Sequence, residues 1–460
     1  MMHRVLVTVP LLFCLALPQA EAEELNLSQA MARARVEARE VTTARARSEA
    51  GTHRMRQAKA FRRPKVSLQE IWIRSDSPAE AFGLLLNQER FSLAEFAAGD
   101  PNSPEAIENA LTRLEVSLPL YTGGELSGRI RQAKLAAEAT HDTAAWVEDG
   151  AALAAAEAYI RLAQIREQVG LLETSLDTVR AHVRLAQAYV DQGMLVRSEL
   201  LRAAVEQSRL EDLLSQARGQ AKVAEANLSF RLAADLSTTW QLEPLSDPPP
   251  LEEQLEGWLA SADSRRDLAA SRRMLETGEL EVKVKRSALF PKVGLVARRD
   301  LNDDTLLGSS GDSTVVMAVG SIDLFSGGRH RAAIAIARAE VEAARSEVEQ
   351  FRAGIRLEVR SAYEKASSAR ERHRTALAAQ AAAHEAERIT QERFRSGIVK
   401  TIDLLDATTA RREAETRELV ARVDAHLAGL ELAVKAGRRP ESALLAVGAA
   451  AHLNSTRTQP

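Results

Sequence analysis

The chain has 460 residues, a formal net charge of −3 and 27% charged side chains. This balance excludes a strongly basic nucleic-acid-binding protein and a strongly acidic tail protein. Aromatic residues make up only 4%, and Ala, Leu, Glu and Arg dominate the middle of the chain, a composition that favours long helices over a compact mixed core.

Residues 1–22 are predicted to be a secretory signal peptide. His3 and Arg4 form a short basic start, an apolar run follows, and Ala20-Glu21-Ala22 offers a cleavage site of the small-x-small kind. The only cysteine, Cys14, lies in this segment, so we expect a mature chain without disulfides or thiolate chemistry. No later apolar run reaches the ~20 residues that a membrane-spanning helix needs.

Residues 23–242 form the first of two predicted structural repeats. A helix is expected from about Leu27 to Arg62, and Pro64 then ends it and begins a strand at 66–74. A second strand, at 111–121, alternates apolar and polar residues, as a strand with one apolar and one polar face does. This pattern alone leaves two possibilities open, a soluble half-buried hairpin and a membrane strand.

A long loop, about residues 76–105, joins these two strands, and the second half of the chain lacks its counterpart. Long and variable loops belong on an exposed rim. The aromatic residues Phe82, Phe91 and Phe96 are expected to form a small hydrophobic cluster that folds the loop; the alternative is a contact site for a receptor or phage. The sequence does not fix the role of this loop.

The strand at 111–121 ends in a Gly-Gly corner that is followed by a very long helix. Leu120-Tyr121-Thr122-Gly123-Gly124 returns as Leu324-Phe325-Ser326-Gly327-Gly328, and Gly193 returns as Gly397, both at a constant offset of 204 positions (120 to 324, 193 to 397). The element between the landmarks must therefore be rigid and of fixed length. The predicted helices run from Glu125 to Gln192 and from Arg329 to Ser396, and at about 1.5 Å per residue each spans roughly 100 Å. Gly193 and Gly397 are expected to adopt positive φ as helix-terminating glycines.

The second repeat, residues 243–439, has the same order of elements. Its helix is expected at Leu251–Ala288, its strands at 293–301 and 314–325, and its returning helix at Ile402–Ala436, which corresponds to Ser198–Ala234 in the first repeat. Residues 440–460 are expected to be a flexible tail.

One chain supplies only four strands. Four strands cannot close a barrel, because about eight is the smallest number that does so. An open sheet edge in lipid would leave backbone groups unpaired. If these strands cross a membrane, several copies must therefore share one barrel.

Taken together, these motifs resemble the outer membrane efflux protein family of the TolC type. The resemblance rests on the two Gly-Gly corners, on the insert Ala81-Phe82-Gly83…Asn87-Gln88-Glu89-Arg90-Phe91, and on the turn Phe394-Arg395-Ser396-Gly397…Asp403-Leu404-Leu405-Asp406-Ala407-Thr408-Thr409. It covers essentially all of the mature chain. It implies a mostly α-helical fold with a small membrane β part, in which long antiparallel hairpins form a helical barrel and a homotrimer shares a 12-stranded β-barrel.

The resemblance also implies a function. The protein would be the exit duct of a tripartite efflux pump or type I secretion system, lying in the outer membrane of a Gram-negative bacterium with a long periplasmic portion. Its partners would be outer-membrane lipid, a periplasmic adaptor and an inner-membrane transporter of the RND, ABC or MFS type, with no nucleic acid and no cofactor. The substrate and the transporter class cannot be read from this sequence.

Asp403 and Asp406 match positions that form acidic rings at the periplasmic aperture in this family. Their i, i+3 spacing places them on one helix face, and three copies around a narrow pore would focus a negative potential. The alternative is that each acid, Asp403 above all, only caps the N-terminus of the returning helix.

Glu199 is the first-half counterpart of Asp403 and matches a family acid that helps to hold the entrance closed. The sequence departs from the family pattern here, because Phe394 has no hydroxyl group and Val399 stands where some members carry an arginine. An ion pair between Glu199 and Lys400 is the remaining closing contact, and an exposed pair would contribute only about 0–1 kcal/mol.

The hairpin tips are expected to contact the adaptor. The predicted contact residues are Gly193, Leu195, Gly397 and Ile398; the alternative is that the two apolar side chains pack only within their hairpins.

Nothing in the sequence indicates an enzyme. The nine histidines include His3 of the signal peptide, and no two of the others lie three or four positions apart, as helical zinc ligands would. No Gly-x-Ser-x-Gly, P-loop or dinucleotide-binding motif occurs. We therefore expect no catalytic, metal or cofactor site. The alternative to a duct is a periplasmic coiled-coil scaffold with soluble hairpins.

Overall fold

A computed structural model describes residues 23–251, 253–396 and 398–442. The predicted signal peptide, most of the predicted tail and Gly397 lie outside the described residues. The chain divides into two compact units. Among the described residues, unit 1 comprises 23–42, 147–261 and 358–442, and unit 2 comprises 43–146 and 262–357.

The elements follow one another in a helix, strand, strand, long-helix order that occurs twice. In chain order they are β1 (Glu23–Leu25), α1 (Leu27–Glu37), α2 (Arg39–Ala60), β2 (Lys65–Ser75), α3 (Pro78–Asn87), α4 (Leu93–Ala98), β3 (Ile107–Tyr121), α5 (Glu125–Asp191), α6 (Arg197–Arg231), β4 (Trp240–Leu242), α7 (Leu255–Ala262), α8 (Arg266–Arg286), β5 (Lys292–Asp303), β6 (Gly311–Ser321), α9 (Arg329–Arg395) and α10 (Thr401–Lys435).

The long helices have the predicted length. Helices α5 and α9 contain 67 residues each, so each is roughly 100 Å long at about 1.5 Å per residue. Each ends one residue before the predicted boundary. No helix within the described ranges is long and apolar enough to span a membrane.

The shorter predicted helices are interrupted. The helix predicted at Leu27–Arg62 breaks at Ala38, whose backbone is extended (φ −55°, ψ 136°). The helix predicted at Leu251–Ala288 begins only at Leu255 and breaks at residues 263–265, where Asp263 and Ser264 are residue types that compete with the helix for backbone hydrogen bonds.

Unit 2 contains an antiparallel sheet of order β2-β3-β5-β6. The strands predicted at 66–74, 111–121 and 293–301 lie within β2, β3 and β5. The fourth prediction, 314–325, is displaced, because β6 ends at Ser321 opposite Lys292. Strand β5 begins there, directly after a proline, and offers no partner to later residues. Phe325, which follows the end of β6, is 90% exposed.

The two faces of this sheet differ in polarity in the half next to the Gly-Gly corners. Pairing of Leu68 with Leu114 and of Gln69 with Arg113 places even-numbered residues of β2 and β3 on one face and odd-numbered residues on the other. The apolar face carries exposed large side chains: Val66, Leu68, Trp72, Leu114 and Leu120, each 45–66% exposed. Towards the other end, the apolar face also carries the ion pairs Arg74–Glu108 and Arg299–Asp312. The polar face carries Arg113, which forms a two-bond ion pair with Asp300 on β5 at 2.8 Å.

The Gly-Gly corners have the same backbone geometry in both repeats. The φ angles are 62° and 89° at Gly123 and Gly124, and 59° and 86° at Gly327 and Gly328. Residues with a Cβ rarely adopt these angles. The corners are therefore glycines because the chain turns from strand into helix through the left-handed region.

Unit 1 has a hydrophobic core that gathers residues from its different segments. Tyr159 of α5 is 1% exposed, and its hydroxyl donates to the backbone oxygens of Leu25 (3.2 Å) and Glu243 (3.1 Å). Burial raises the pKa of this hydroxyl to about 12, so it remains a donor. The residue 204 positions later, Tyr363, is only partly buried.

Candidate aperture at the hairpin tips

The first hairpin tip joins α5 to α6 through a glycine turn. Gly193 has φ 72°, and the N–H groups of Met194 and Leu195 both donate to the oxygen of Tyr189 (2.8 and 3.2 Å). The bond from Met194 closes the loop characteristic of a helix end with a left-handed residue. The predicted positive φ at Gly193 is confirmed.

The second tip, between α9 and α10, has a counterpart of the hydrogen bond made by Met194. The N–H of Ile398 donates to the oxygen of Arg393 at 2.9 Å, and these residues are the positional counterparts of Met194 and Tyr189. Gly397 is outside the described residues. Ile398 is 72% exposed, whereas Leu195 is only partly exposed, so Ile398 is the more accessible of the two predicted apolar contacts.

The two candidate gate acids lie on the outward face of the first turns of α10. Leu404 and Leu405 are buried at 1% and 7% exposure, while Asp403 and Asp406 are exposed. The helix packs its leucine side against its own chain, so the carboxylates point away from the chain's core. Two acids close to a helix N-terminus are also favoured by the helix dipole.

Asp403 is also a capping residue. Its Oδ2 accepts the backbone N–H of Lys400 at 2.9 Å, which satisfies one of the donors left free at a helix start. The Asp406 carboxylate makes no hydrogen bond or ion pair within the described residues. The two acids therefore differ. Asp403 stabilises the start of α10, whereas Asp406 has no such contact among the described residues.

Glu199 and Lys400 do not meet within one chain. Glu199 Oε1 lies 3.5 Å from Arg202 on the next turn of α6, and its Oε2 is buried without a hydrogen-bond partner. Among the ion pairs of the described residues, none joins Glu199 to Lys400. The predicted contact is therefore not an intrachain one.

Phe394 lies inside the hairpin pair. It is 9% exposed, and its ring centroid is 6.4 Å from that of Tyr189 on α5. A tilted aromatic pair of this kind packs the two long helices together. Sequence reasoning missed Tyr189. The offset of 204 positions could have indicated it, because the position that corresponds to Phe394 in the first repeat is adjacent to Tyr189.

A groove of about 480 Å³ runs between α6 and α10 beside the tips. Asp406 lines it from α10, and Arg202 and Arg209 line it from α6. Nearby, Arg412 and Glu206 join the same two helices at 3.7 Å. The negatively charged Asp406 of α10 thus shares the groove with two positively charged arginines of α6.

Helix α10 also carries a buried row of charges that sequence reasoning missed. We call it the ionic seam: Arg411, Glu415, Glu418 and Arg422. Glu415 and Glu418 are 5% and 7% exposed and accept contacts from His384 (2.8 Å) and His373 (3.1 Å) of α9. These four residues are separated by four, three and four positions, which is the spacing of a coiled-coil core. This spacing could have indicated from the sequence that they face another helix.

The tips carry charged and polar side chains. Within the described parts of the chain, no group of His, Cys, Asp and Glu side chains is arranged to hold a metal ion. Exposed carboxylates attract cations and repel anions.

Comparison with known proteins identifies related sequences. The family model described as "Outer membrane efflux protein" matches residues 30–234 and 260–438, one segment in each repeat. A curated relative, "Outer membrane efflux protein BepC" of Brucella suis biovar 1 (strain 1330), is 26% identical over 261 residues. This match covers 56% of the chain and 56% of the relative, so the chain spans just over half the length of that protein.

Solved structures share the fold at low sequence identity. A membrane protein from Pseudomonas aeruginosa superposes with a TM-score of 0.77 at 18% identity, covering 89% of this chain and 92% of that one. The Campylobacter jejuni CmeC outer membrane channel gives a TM-score of 0.75 at 14% identity, covering 92% and 88%. The predicted architecture of long helices with few strands is confirmed.

Proposed function

Because this chain belongs to the outer membrane efflux protein family, we propose that it is the exit duct of a tripartite efflux pump or type I secretion system. It is an outer-membrane protein of a Gram-negative bacterium, with a long periplasmic helical part. In the proposed role it conducts substrates passively to the exterior and catalyses no reaction. A periplasmic adaptor and an inner-membrane transporter of the RND, ABC or MFS type deliver the substrate.

One observation carries the proposal: the sheet of unit 2 has two faces of opposite polarity in the half next to the Gly-Gly corners, and two unpaired edges, at β2 and β6. The exposed apolar face suits lipid, and the face with the ion pair between Arg113 and Asp300 suits a water-filled conduit. An open edge in lipid is costly. Pairing β6 of one copy with β2 of the next removes both edges, and three copies give a 12-stranded barrel.

The periplasmic gate is proposed at the tips of the same trimer. Asp403 and Asp406, exposed on α10, would ring the aperture, and three copies of each would bring six carboxylates close together. Glu199 and Lys400, which do not meet within one chain, would face each other across copies if they close the aperture. Phe394, buried against Tyr189, would set the hairpin spacing rather than line the opening.

The proposed adaptor contacts are the hairpin turns. Gly193 and Gly397 would define the tight shape of each tip. The exposure of Ile398 supports it as an apolar anchor, and Leu195 would contribute less because it is partly covered by its own hairpin.

The proposed gate predicts a defined electrical phenotype. In planar bilayers, Asp403→Ala combined with Asp406→Ala should raise the divalent-cation concentration that gives half-maximal block by about tenfold, because removing six like charges abolishes the focused negative potential. Single-channel conductance in Mg²⁺ titrations measures this effect.

A matched variant separates charge from capping. Asp403→Asn keeps an acceptor for the Lys400 N–H but removes the charge, so it should weaken block without the loss of stability, about 0.5–2 kcal/mol, that cap removal brings. Unchanged block in the double variant would leave Asp403 with its capping role alone and would remove Asp406 from the gate.

The alternative, a periplasmic scaffold with soluble hairpins, makes the opposite biochemical prediction. A duct should be extracted from membranes only with detergent, as a trimer. Recovery of the mature protein from the periplasm without detergent would refute the duct.

A further inference from the structure

The segment that joins β2 to β3 is an ordered insert. We call residues 76–106 the cap segment; its counterpart between β5 and β6 is only residues 304–310. Since seven residues suffice to join two strands of this sheet, the added length serves something other than the connection. The segment folds into α3 and α4 and lies in unit 2 with the sheet.

The cap segment has a small core of its own. The ring centroids of Phe82, Phe91 and Phe96 lie 5.1–5.6 Å apart in edge and tilted arrangements, and Ala81 and Leu84 are 1% and 9% exposed. The predicted hydrophobic cluster is confirmed. A segment with such a core can move as one body.

A row of buried amides fastens the cap segment to the sheet. Gln88 is 1% exposed, and its Nε2 donates to the Glu108 oxygen (2.7 Å) and to Asn109 Oδ1 (3.0 Å). Asn109 Nδ2 in turn donates to Asn302 Oδ1 at 3.1 Å. The row crosses from the cap segment over β3 to β5, and buried, satisfied amide networks fix one arrangement of the parts that they join.

This contact lies on the polar face of the sheet. Asn109 is four residues before Arg113 on β3 and therefore shares its face. Asn302 pairs directly with Leu111 in the ladder, which puts it on that face too. Both asparagines lie at the strand ends that are remote from the Gly-Gly corners.

The backbone of the cap segment also touches the first residue of β6. A Cβ added to Gly311 would lie 2.0 Å from the Asn87 oxygen, so only glycine allows this approach. Arg90 and Asp304 add an exposed ion pair at 2.9 Å, and such pairs contribute little. Close packing and the amide row are therefore what hold the cap segment.

We propose that the cap segment narrows the outer exit of the conduit and is held there by the Gln88–Asn109–Asn302 amide row. The inference rests on the proposed duct function, which makes the polar face the conduit wall. A body fastened to that wall, at the end away from the corners, occupies part of the exit. Release of the amide row would let it swing out as a unit.

The chain offers a matched pair of glycines on β6 for a test. Gly311→Ala should force the cap segment off the sheet, whereas a Cβ at Gly320 meets no atom of the described chain within 4 Å, so Gly320→Ala is the control. Neither glycine has a φ in the left-handed region, so alanine is compatible with the backbone at both. Gln88→Leu acts from the other side of the contact, without altering the sheet.

Two measurements on the detergent-extracted trimer distinguish the outcomes. Hydrogen exchange in peptides from residues 78–98 should be about tenfold faster in Gly311→Ala and Gln88→Leu than in Gly320→Ala, because overpacking or an unpaired amide weakens the contact. Single-channel conductance should rise in the same two variants relative to Gly320→Ala, since the outer exit and the tip aperture are resistances in series and widening either one lowers their sum.

The exchange and conductance results distinguish failure of the cap proposal from failure of the proposed duct function. Faster exchange with unchanged conductance would overturn the cap as a constriction, and unchanged exchange would overturn the amide row as its fastening. If the unaltered protein passes no current at all while exchange still responds to Gly311→Ala, the duct function itself fails, not the contact.

Discussion

Replacing Gly123 with alanine should lower the stability of unit 2 by about 2–5 kcal/mol. The left-handed backbone at φ 62° costs a residue with a Cβ about 1–2 kcal/mol. The new Cβ would also lie 2.5 Å from the Ser287 oxygen and 2.9 Å from Phe290 Cβ, and overpacking adds about 1–3 kcal/mol. The urea midpoint of the detergent-solubilised protein, followed by circular dichroism, measures the loss.

The adjacent glycine provides the control. Gly124 has φ 89°, and a Cβ added there meets nothing within 4 Å of the described chain. Gly124→Ala should therefore cost only the backbone strain. Equal midpoints for the two variants would show that the contact with residues 287–290 does not constrain the corner.

The same substitution at the second Gly-Gly corner tests the proposed trimer. Gly327 has φ 59° and open space around its Cβ position in this chain, so Gly327→Ala should cost an isolated chain little more than Gly124→Ala does. In the proposed trimer, the residues that precede β2 of the next copy take the place that residues 287–290 take at Gly123. Gly327→Ala should then destabilise the trimer as strongly as Gly123→Ala, and a mild effect would contradict the closed ring.

Features set by local chemistry were predicted well from the sequence. The constant offset between the repeats placed the ends of α5 and α9 within one residue, because a rigid helix tolerates no insertion. Positive φ at Gly193 followed from the usual way in which helices end. Three strands were located from their alternation and from the prolines that begin them.

Features set by distant contacts could not be predicted. Strand β6 ends at Ser321 because its partner β5 begins at Lys292. The alternation of apolar and polar residues in β6 does not show where the strand ends. The break at Ala38 has neither proline nor glycine to mark it. The hydrogen-bonded row of Gln88, Asn109 and Asn302 joins three separate segments of the chain. Patterns in a single sequence do not show which segments meet.

The candidate site was predicted in part. The exposure of Asp403 and Asp406 follows from the leucines between them, which a helical pattern places on the opposite face. The groove that Asp406 shares with Arg202 follows from the packing of α6 against α10, which periodicity alone does not determine. The ionic seam was missed because charged residues on a helix usually indicate a solvent-exposed face.

Replacing Trp240 with alanine should remove the largest buried side chain of unit 1 and cost about 3–5 kcal/mol. Trp240 is 1% exposed, its Nε1 donates to Ser229 Oγ at 2.8 Å, and its strand β4 forms the parallel ladder that holds β1. The cavity would loosen both the core and the N-terminal strand, so the urea midpoint should fall and exchange at residues 23–25 should accelerate together.

Trp240→Phe refines this prediction, because phenylalanine fills most of the space but cannot donate a hydrogen bond. Ser229 Oγ would retain its bond to the Glu225 oxygen at 3.1 Å, so the cost should be only about 1–2 kcal/mol. A loss as large as that of Trp240→Ala would mean that the hydrogen bond, not the packed ring, ties β4 to the helices. A midpoint unchanged in both variants would mean that this core does not limit the stability of unit 1. The proposed gate depends on this result, since both hairpin tips extend from helices that pack in that unit and can hold a defined aperture only if their base is rigid.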